Sequence, residues 1–546
     1  MKNIAAFFAL LFCISARAAD TVYVKGRQIP ILIERKDNVL LQMRLDAQCN
    51  EMLDEVTVAF GKEVLLSEIK SVKLYYSGTG AFKDRGKNRF APVEYISRNR
   101  PGKTLGANSS YSVKKSECRP ERHCVTLKAG QPLFPGYNFF WISLEMNPDA
   151  SLHTIVTAEV VSAKANGKEV PVKSLGTFER RMAVGVRHAG DDGVEAFRIP
   201  GLATTNRGTL LGVYDVRYNS EKDLQERIDV GLSRSTDGGQ TWEEMRLPLS
   251  FGEYGGLPSA QNGVGDPSIL VDAQTNTVWI MAAWTHGMGN EMAWFSSRQG
   301  TDVTETAQLV LVKSTDDGKT WSSPINITKQ VKRPEWFFLL QGPGKGITMS
   351  DGTLVFPIQF IDKERMPGAG IMYSKDRGGT WCIHNRARTN VTEAQVAEVE
   401  PGVLMLNMRD NRKGSRAVYI TSDLGKTWKE HESSRTALIE PVCMASLIGV
   451  KAEDNVAGRD LLVFSNPNST TARENMTIKV SVDGGMNWLP EHQLLLDEGR
   501  GWGYSCLTMV DRETVGILYE SSAAHITFQA VKLEDLLPEE MFYSAD

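Results

Sequence analysis

At 546 residues the chain is long enough for two or three domains, and 41% hydrophobic with 23% charged residues is an ordinary globular composition. A formal net charge of −4 offers no basic footprint, so no nucleic-acid partner is expected. The familiar metal, hydrolase and phosphate motifs are also missing: there is no HExxH, CxxC or GxSxG, and Lys345 in GPGKG is followed by Gly346 rather than Ser or Thr.

Lys2 precedes an apolar run from Ile4 to Ile14, and Ala16, Arg17 and Ala18 then form an AxA cleavage pattern. This predicts a secretory leader over residues 1–18 and an exported protein, periplasmic or secreted. The run falls short of the roughly 20 residues needed to span a bilayer. No later stretch is long enough, so no transmembrane segment is expected. A lipoprotein leader using Cys13 is the alternative, and the bulk of Phe12 argues against it. Loss of Lys2 and Arg17 with the leader leaves a net charge of −6. Six cysteines remain: Cys49, Cys118, Cys124, Cys382, Cys443 and Cys506. Export permits disulfides, and Cys118 with Cys124 can close a small loop. The others are too spread for a sequence-based pairing and read as buried thiols.

Residues 19–180 read as a separate all-β domain. Val56, Val58 and Phe60 alternate with smaller or polar residues, as do Val72, Leu74 and Tyr76, and Phe139–Leu144 is a strongly apolar strand. Lys83–Arg89 is a basic loop. The simplest architecture is a β-sandwich, serving as an accessory module that binds carbohydrate or packs on the next domain.

From Val184 onward, short strands alternate with Gly or Pro turns. Five copies of an SxDxGxTW frame begin at Ser235, Ser314, Ser374, Thr421 and Ser481, so they start 79, 60, 47 and 60 residues apart. Each copy reads as a hairpin turn: Asp accepts backbone N–H bonds two residues on, Gly supplies a positive φ, and Trp wedges between neighbouring sheets. Sheet-sized repeats too short to bury their own faces point to a propeller. Residues 184–546 divided among six sheets give about 60 residues each, the spacing of the boxes, and leave one blade without a box. The box aspartates are structural, and Trp242, Trp321, Trp381, Trp428 and Trp488 belong at equivalent rim positions away from any site.

Arg198 in Phe197–Pro200 lies in an apolar strand, where an unpaired cation is costly and needs an anion. Arg409 ends the strand Val403–Met408, and Arg473 follows the polar loop Ser465–Thr471. Three arginines in comparable places of three sheets can converge on one carboxylate. FRIP followed by repeated boxes resembles the exo-α-sialidase (neuraminidase) family over residues from about Val184 to the end. The amino-terminal domain is similar to the accessory β-domain of some bacterial members. The resemblance implies a six-bladed propeller that removes terminal sialic acids from glycans or glycoproteins with no metal or organic cofactor.

It further implies a set of roles. Arg198, Arg409 and Arg473 bind the sugar carboxylate, and Glu520 in LYE orients Arg198. Tyr504 in GYSCL is the nucleophile and Glu393 in TEAQVAEVE its base. Asp223 in VYDVRYNSEKD is the acid/base, with Asp229 and Asp215 as rivals and Arg217 as a further substrate-binding residue. Tyr suits this role because a carboxylate nucleophile would be repelled by the substrate's own carboxylate, and sialidases differ from most glycosidases in using Tyr in its place. Asp266 in GDPS can meet a sugar hydroxyl. Met281, Trp284 and Trp294 line an N-acetyl pocket or belong to the core. A transfer enzyme, an intramolecular trans-sialidase and a non-catalytic sialic-acid-binding propeller are the alternatives.

Overall fold

The computed structural model describes residues 21–48, 50–79, 112–289 and 291–542. The expected leader, Cys49 and the basic loop Lys83–Arg89 lie outside the described residues. Among those described, no helix is long and apolar enough to cross a membrane.

The chain is all-β. Alternating apolar residues put one face of each amino-terminal strand inward. A six-stranded sheet runs in the order Val172–Ser174, Thr21–Lys25, Asn38–Ala47, Gly136–Met146, Ile69–Tyr76 and Val113–Cys118. Its Met43, Leu45, Leu74 and Ile142 share a core with Val56, Val58, Leu127 and Val160. These last four lie on Glu51–Phe60, Cys124–Leu133 and Ile155–Ala165 of the facing sheet. Cys118 and Cys124 are free thiols: one ends a strand of the first sheet and the other begins a strand of the second, so the short loop is not closed.

The expected boundary between residues 180 and 184 is not a linker. It falls inside the strand Glu179–Arg187, whose first residues pair with Ile155–Thr157 and whose later ones pair with Ile526–Phe528. The facing sheet is therefore continuous with the last sheet of the chain.

Five sheets of four or more strands follow in sequence order, antiparallel except where Gly344–Lys345 pairs parallel with Val264–Val271 in the second. The first is Ala196–Thr204, Leu210–Arg217, Ile228–Ser235 and Arg246–Leu249. The next four open with Val264–Val271, Phe338–Gln341, Val391–Glu400 and Ser446–Val450. A sixth contains Ser505–Met509, Thr514–Tyr519 and Ile526–Lys532, and takes Glu179–Arg187 as its fourth strand. Neighbouring sheets touch in sequence order, and Ser505–Met509 returns to contact Ala196–Thr204.

This topology explains why one sheet has no box. Each box joins the third strand of a sheet to its fourth, whereas the sixth sheet receives its fourth strand from upstream and has no such turn to make. Within a box the hydrogen bonds differ from expectation. Asp237 accepts from the Thr241 N–H, four residues on, at 3.0 Å, and from the Thr241 and Ser235 hydroxyls at 2.5 and 2.8 Å. Asp316, Asp376, Asp423 and Asp483 repeat the pattern. The Trp residues pack toward the preceding sheet. Trp242 meets Phe528 at 5.3 Å between ring centroids, Trp381 meets Trp279 at 6.3 Å, and Trp321 packs on the core of Leu211 and Val213. Gly239, at φ 93°, is required here, because a Cβ would lie 2.0 Å from the Phe528 ring.

Candidate active site

Three of the sheets' first strands are bulged where candidate residues stand. Register shifts fall between Arg198 and Gly201, between Gly265 and Ser268, and between Val391 and Ala394. A bulge re-aims a side chain that strict alternation would bury between sheets. Ile199 and Asp266 take left-handed φ values of 59° and 55°, uncommon for such residues and costing on the order of 1–3 kcal/mol each. Carboxylates hold both in place: the Ile199 N–H donates to Glu520 Oε1 at 3.0 Å, and the Asp266 N–H donates to Asp215 Oδ1 at 2.7 Å.

Glu520 is fully buried and works in three directions. It accepts from Arg198 Nε at 2.9 Å, from the Ile199 N–H and, through Oε2, from the Tyr504 N–H at 2.9 Å. One carboxylate thus fixes both the first arginine and the backbone of Tyr504. The Arg198 guanidinium also lies 4.8 Å from the Trp502 ring centroid and 5.4 Å from that of Tyr504.

Tyr504 is 6% exposed and its hydroxyl donates to Glu393 Oε1 in a short hydrogen bond. Arg409 Nη1 donates to Glu393 Oε2 at 2.5 Å and to the Tyr504 hydroxyl at 3.2 Å. Arg473 completes the group, 5.6 Å from the Tyr504 ring, and donates to the Trp502 carbonyl at 2.8 Å. It has no carboxylate partner among the described residues. Three guanidiniums thus gather around one phenol. Burial and the Glu393 carboxylate push that phenol well above 10, against the pull of Arg409 and Arg473, so it carries its proton at neutral pH.

The Asp223 carboxylate faces the same space from the loop between Leu210–Arg217 and Ile228–Ser235 and accepts from Arg217 Nη1 at 2.7 Å. Arg217 itself is wholly buried and also donates to Asp215 at 2.8 Å. Desolvation pushes Asp223 up, but Arg217, Arg198 and Arg473 outweigh it and hold the carboxyl below its usual value. Asp266 moves the other way. Burial, with the Asp215 and Asp223 charges, raises its carboxyl well above the ordinary value, which favours the protonated form.

A cavity of about 450 Å³ joins these groups, within the range that small-molecule sites occupy. Asp223, Asp266, Glu393, Arg409 and Tyr504 line it, with Trp294, Phe338 and Leu340 on an apolar side and Gln359, Thr392 and Asn411 on a polar one.

Comparison with known proteins is decisive. Residues 19–169 match the family model described as the N-terminal domain of BNR-repeat neuraminidase, and residues 199–490 match that of a BNR repeat-like domain. A sialidase of Bacteroides fragilis (strain YCH46) is 68% identical over 98% of this chain and 100% of that protein. The chain belongs to the bacterial sialidase family. It is a glycoside hydrolase, and the substrates of such enzymes are sialylated glycans. A Paraclostridium sordellii sialidase is 30% identical over 67% of this chain and 92% of that protein. Among solved structures, the Hadza microbial sialidase Hz136 is 61% identical, with a TM-score of 0.91 over 94% of this chain and 100% of that one. The leech intramolecular trans-sialidase, at 16% identity and a TM-score of 0.55, covers 90% of this chain and shares its fold.

In this sialidase the structure brings Arg198, Arg409, Arg473, Glu393, Tyr504 and Glu520 into one cluster. Arg217 is different: it does not line the cavity but is clamped between Asp215 and Asp223. Asp215 is fully buried in that ion pair. Asp229 is a buried strand residue held by Tyr218 and Ser250, away from the cavity lining. Met281 and Trp284 are core residues, Trp284 stacked on Phe251 at 4.2 Å, whereas Trp294 does line the cavity. Trp502 was missed. Its signal was an aromatic residue between Gly501 and Gly503, two positions before Tyr504. Phe338 and Leu340 carried no signal beyond that of a buried strand.

Proposed function

We propose that the chain is an exported, retaining exo-α-sialidase, whose six sheets are the blades of a propeller behind a β-sandwich accessory domain. On this reading residues 1–18 are a cleaved leader, residues 19–180 the accessory domain and residues 184–546 the propeller. The observation that carries the reading is the Tyr504–Glu393–Arg409 contact inside a ring of three arginines.

Sialic acid bears a carboxylate on its anomeric carbon. Arg198, Arg409 and Arg473 offer it charge-assisted bonds, each worth roughly 1.5–3 kcal/mol, and so set the carbon over the Tyr504 hydroxyl. As the phenol attacks, Glu393 takes its proton, which a phenol of raised pKa requires. Asp223 donates a proton to the departing sugar oxygen, and the same carboxylate then draws one from water to release the tyrosyl-bound sugar. Substrate binding prepares this role: a bound carboxylate offsets the Arg198 and Arg473 charges that depress Asp223 and lets it hold a proton. Asp266, on the cavity wall, meets a sugar hydroxyl, and Arg217 acts by holding Asp223.

Product analysis on a sialyl-oligosaccharide tests the reading. Free sialic acid and the shortened glycan are expected. An anhydro sugar or transfer to an added acceptor as the main product would replace hydrolysis with one of the transfer reactions, and no release at all would leave a binding protein.

A further inference from the structure

Behind the arginine cluster lies a second pair of charges that the mechanism does not use. Arg416 and Glu440 have side chains with no exposure at all, and their atoms meet at 2.7 Å. Neither lines the cavity. Their other bonds bracket Arg409 on both sides. Arg416 Nε donates to Asn407 Oδ1 at 2.7 Å, two residues before Arg409, and Glu440 Oε1 accepts from the Asp410 N–H at 2.7 Å, one residue after it.

The pair also reaches the floor beneath Arg473. Arg416 Nη1 donates to the Cys443 carbonyl at 2.7 Å, and the Cys443 N–H donates to Glu440 Oε2 at 3.4 Å. Between them Val442 is held at a φ of 55°, a costly position for a β-branched residue. Cys443 Sγ lies 3.7 Å from the Trp502 carbonyl that Arg473 also contacts. Gly503 fits against this floor only without a side chain, since a Cβ would come within 3.0 Å of Arg473 and 3.1 Å of Cys443 Sγ.

We propose that the buried Arg416–Glu440 pair is a positioning clamp that fixes Arg409 relative to the Cys443–Trp502 floor under Arg473, and so sets the width of the carboxylate site. A buried ion pair is weak evidence of a gain in stability, because desolvating both charges offsets their attraction. Its atoms instead join the two cationic sites through directional bonds, and a shift of about 1 Å in such a frame is enough to impair binding. The inference rests on the carboxylate-binding role given to the arginines above.

The test is Glu440→Gln in the full chain, with Arg416→Lys as the second variant. Glu440→Gln retains an acceptor for the Asp410 N–H but loses the charge and one acceptor facing Arg416 and Cys443. KM for a sialoside and Kd for an unsaturated sialic-acid analogue are expected to rise together by about tenfold, the size of one charge-assisted bond, with kcat changed by less than about threefold. A merely structural role gives a different signature: partial unfolding lowers the active fraction, hence apparent kcat and Tm, and leaves KM and Kd as they were. Unchanged KM and Kd in the folded fraction of both variants would overturn the clamp. Failure of the wild-type protein to bind the analogue would instead remove the carboxylate-binding role on which it rests.

Discussion

Replacing Tyr504 by Phe is expected to lower kcat by more than about 10²-fold on natural sialosides and on activated aryl sialosides alike, because it removes the attacking oxygen together with the proton transfer to Glu393. The change is confined to one atom. Phe keeps the ring that Arg198 and Arg473 flank at 5.4 and 5.6 Å, and the backbone N–H that Glu520 accepts remains. Affinity for a sialic-acid analogue should therefore stay within a few-fold of wild type while turnover collapses. Steady-state kinetics on both substrate types, beside calorimetric binding, separate these quantities. Wild-type rates on both would remove the covalent step even though the family membership stands.

Asp223→Ala has the second large effect, and it depends on the leaving group. General-acid assistance is worth about 10²- to 10⁴-fold, so that loss is expected on natural glycosides, whereas an activated aryl group departs without protonation and loses far less. The pH dependence carries a sign. The protonated carboxyl is the active acid, so rate falls as pH rises through its pKa. In the free protein Arg217, Arg198 and Arg473 hold that pKa low. A bound carboxylate offsets two of those charges, so the falling limb of kcat should lie at higher pH than that of kcat/KM. Equal losses on both substrate types would take the role from Asp223. Asp229 and Asp215 are no longer the natural successors, since one lies away from the cavity and the other is locked to Arg217. Asp266 is, because it lines the cavity and its surroundings favour the protonated form.

What the sequence revealed was mostly local. The boxes were readable because a serine, an aspartate, a glycine and a tryptophan within eight residues make their own turn, although the backbone donor proved to be four residues from the aspartate rather than two. FRIP was readable because Arg198 in an apolar strand demands an anion, and Glu520 supplies one from more than 300 residues away. Residues whose meaning depends on distant partners were read less well. Arg217 and Asp223 are close in sequence, but that Arg217 turns away from the cavity depends on Asp215 and on full burial. The upward shift of Asp266 depends on burial and on two other carboxylates that no local pattern announces. Met281 and Trp284 lie in a strand that is apolar and buried throughout, so no alternation marks a face, and which residues meet the cavity is fixed only by the neighbouring sheet. The unclosed Cys118–Cys124 loop is of the same kind: only five residues separate the thiols, yet the two strands belong to opposite sheets. Arg416 and Glu440 gave no signal at all, since their partners are each other, Asn407 and main-chain atoms that only the fold brings together.

The central claim is that Tyr504 forms a bond to the sugar, and the most direct measurement is mass spectrometry of the protein quenched during turnover of a sialosyl fluoride whose extra C3 fluorine slows breakdown of the intermediate. The account predicts one added sialosyl group, mapped by proteolysis to the peptide containing Tyr504 and absent from Tyr504→Phe. An adduct on another residue, or none while substrate is being consumed, would contradict it.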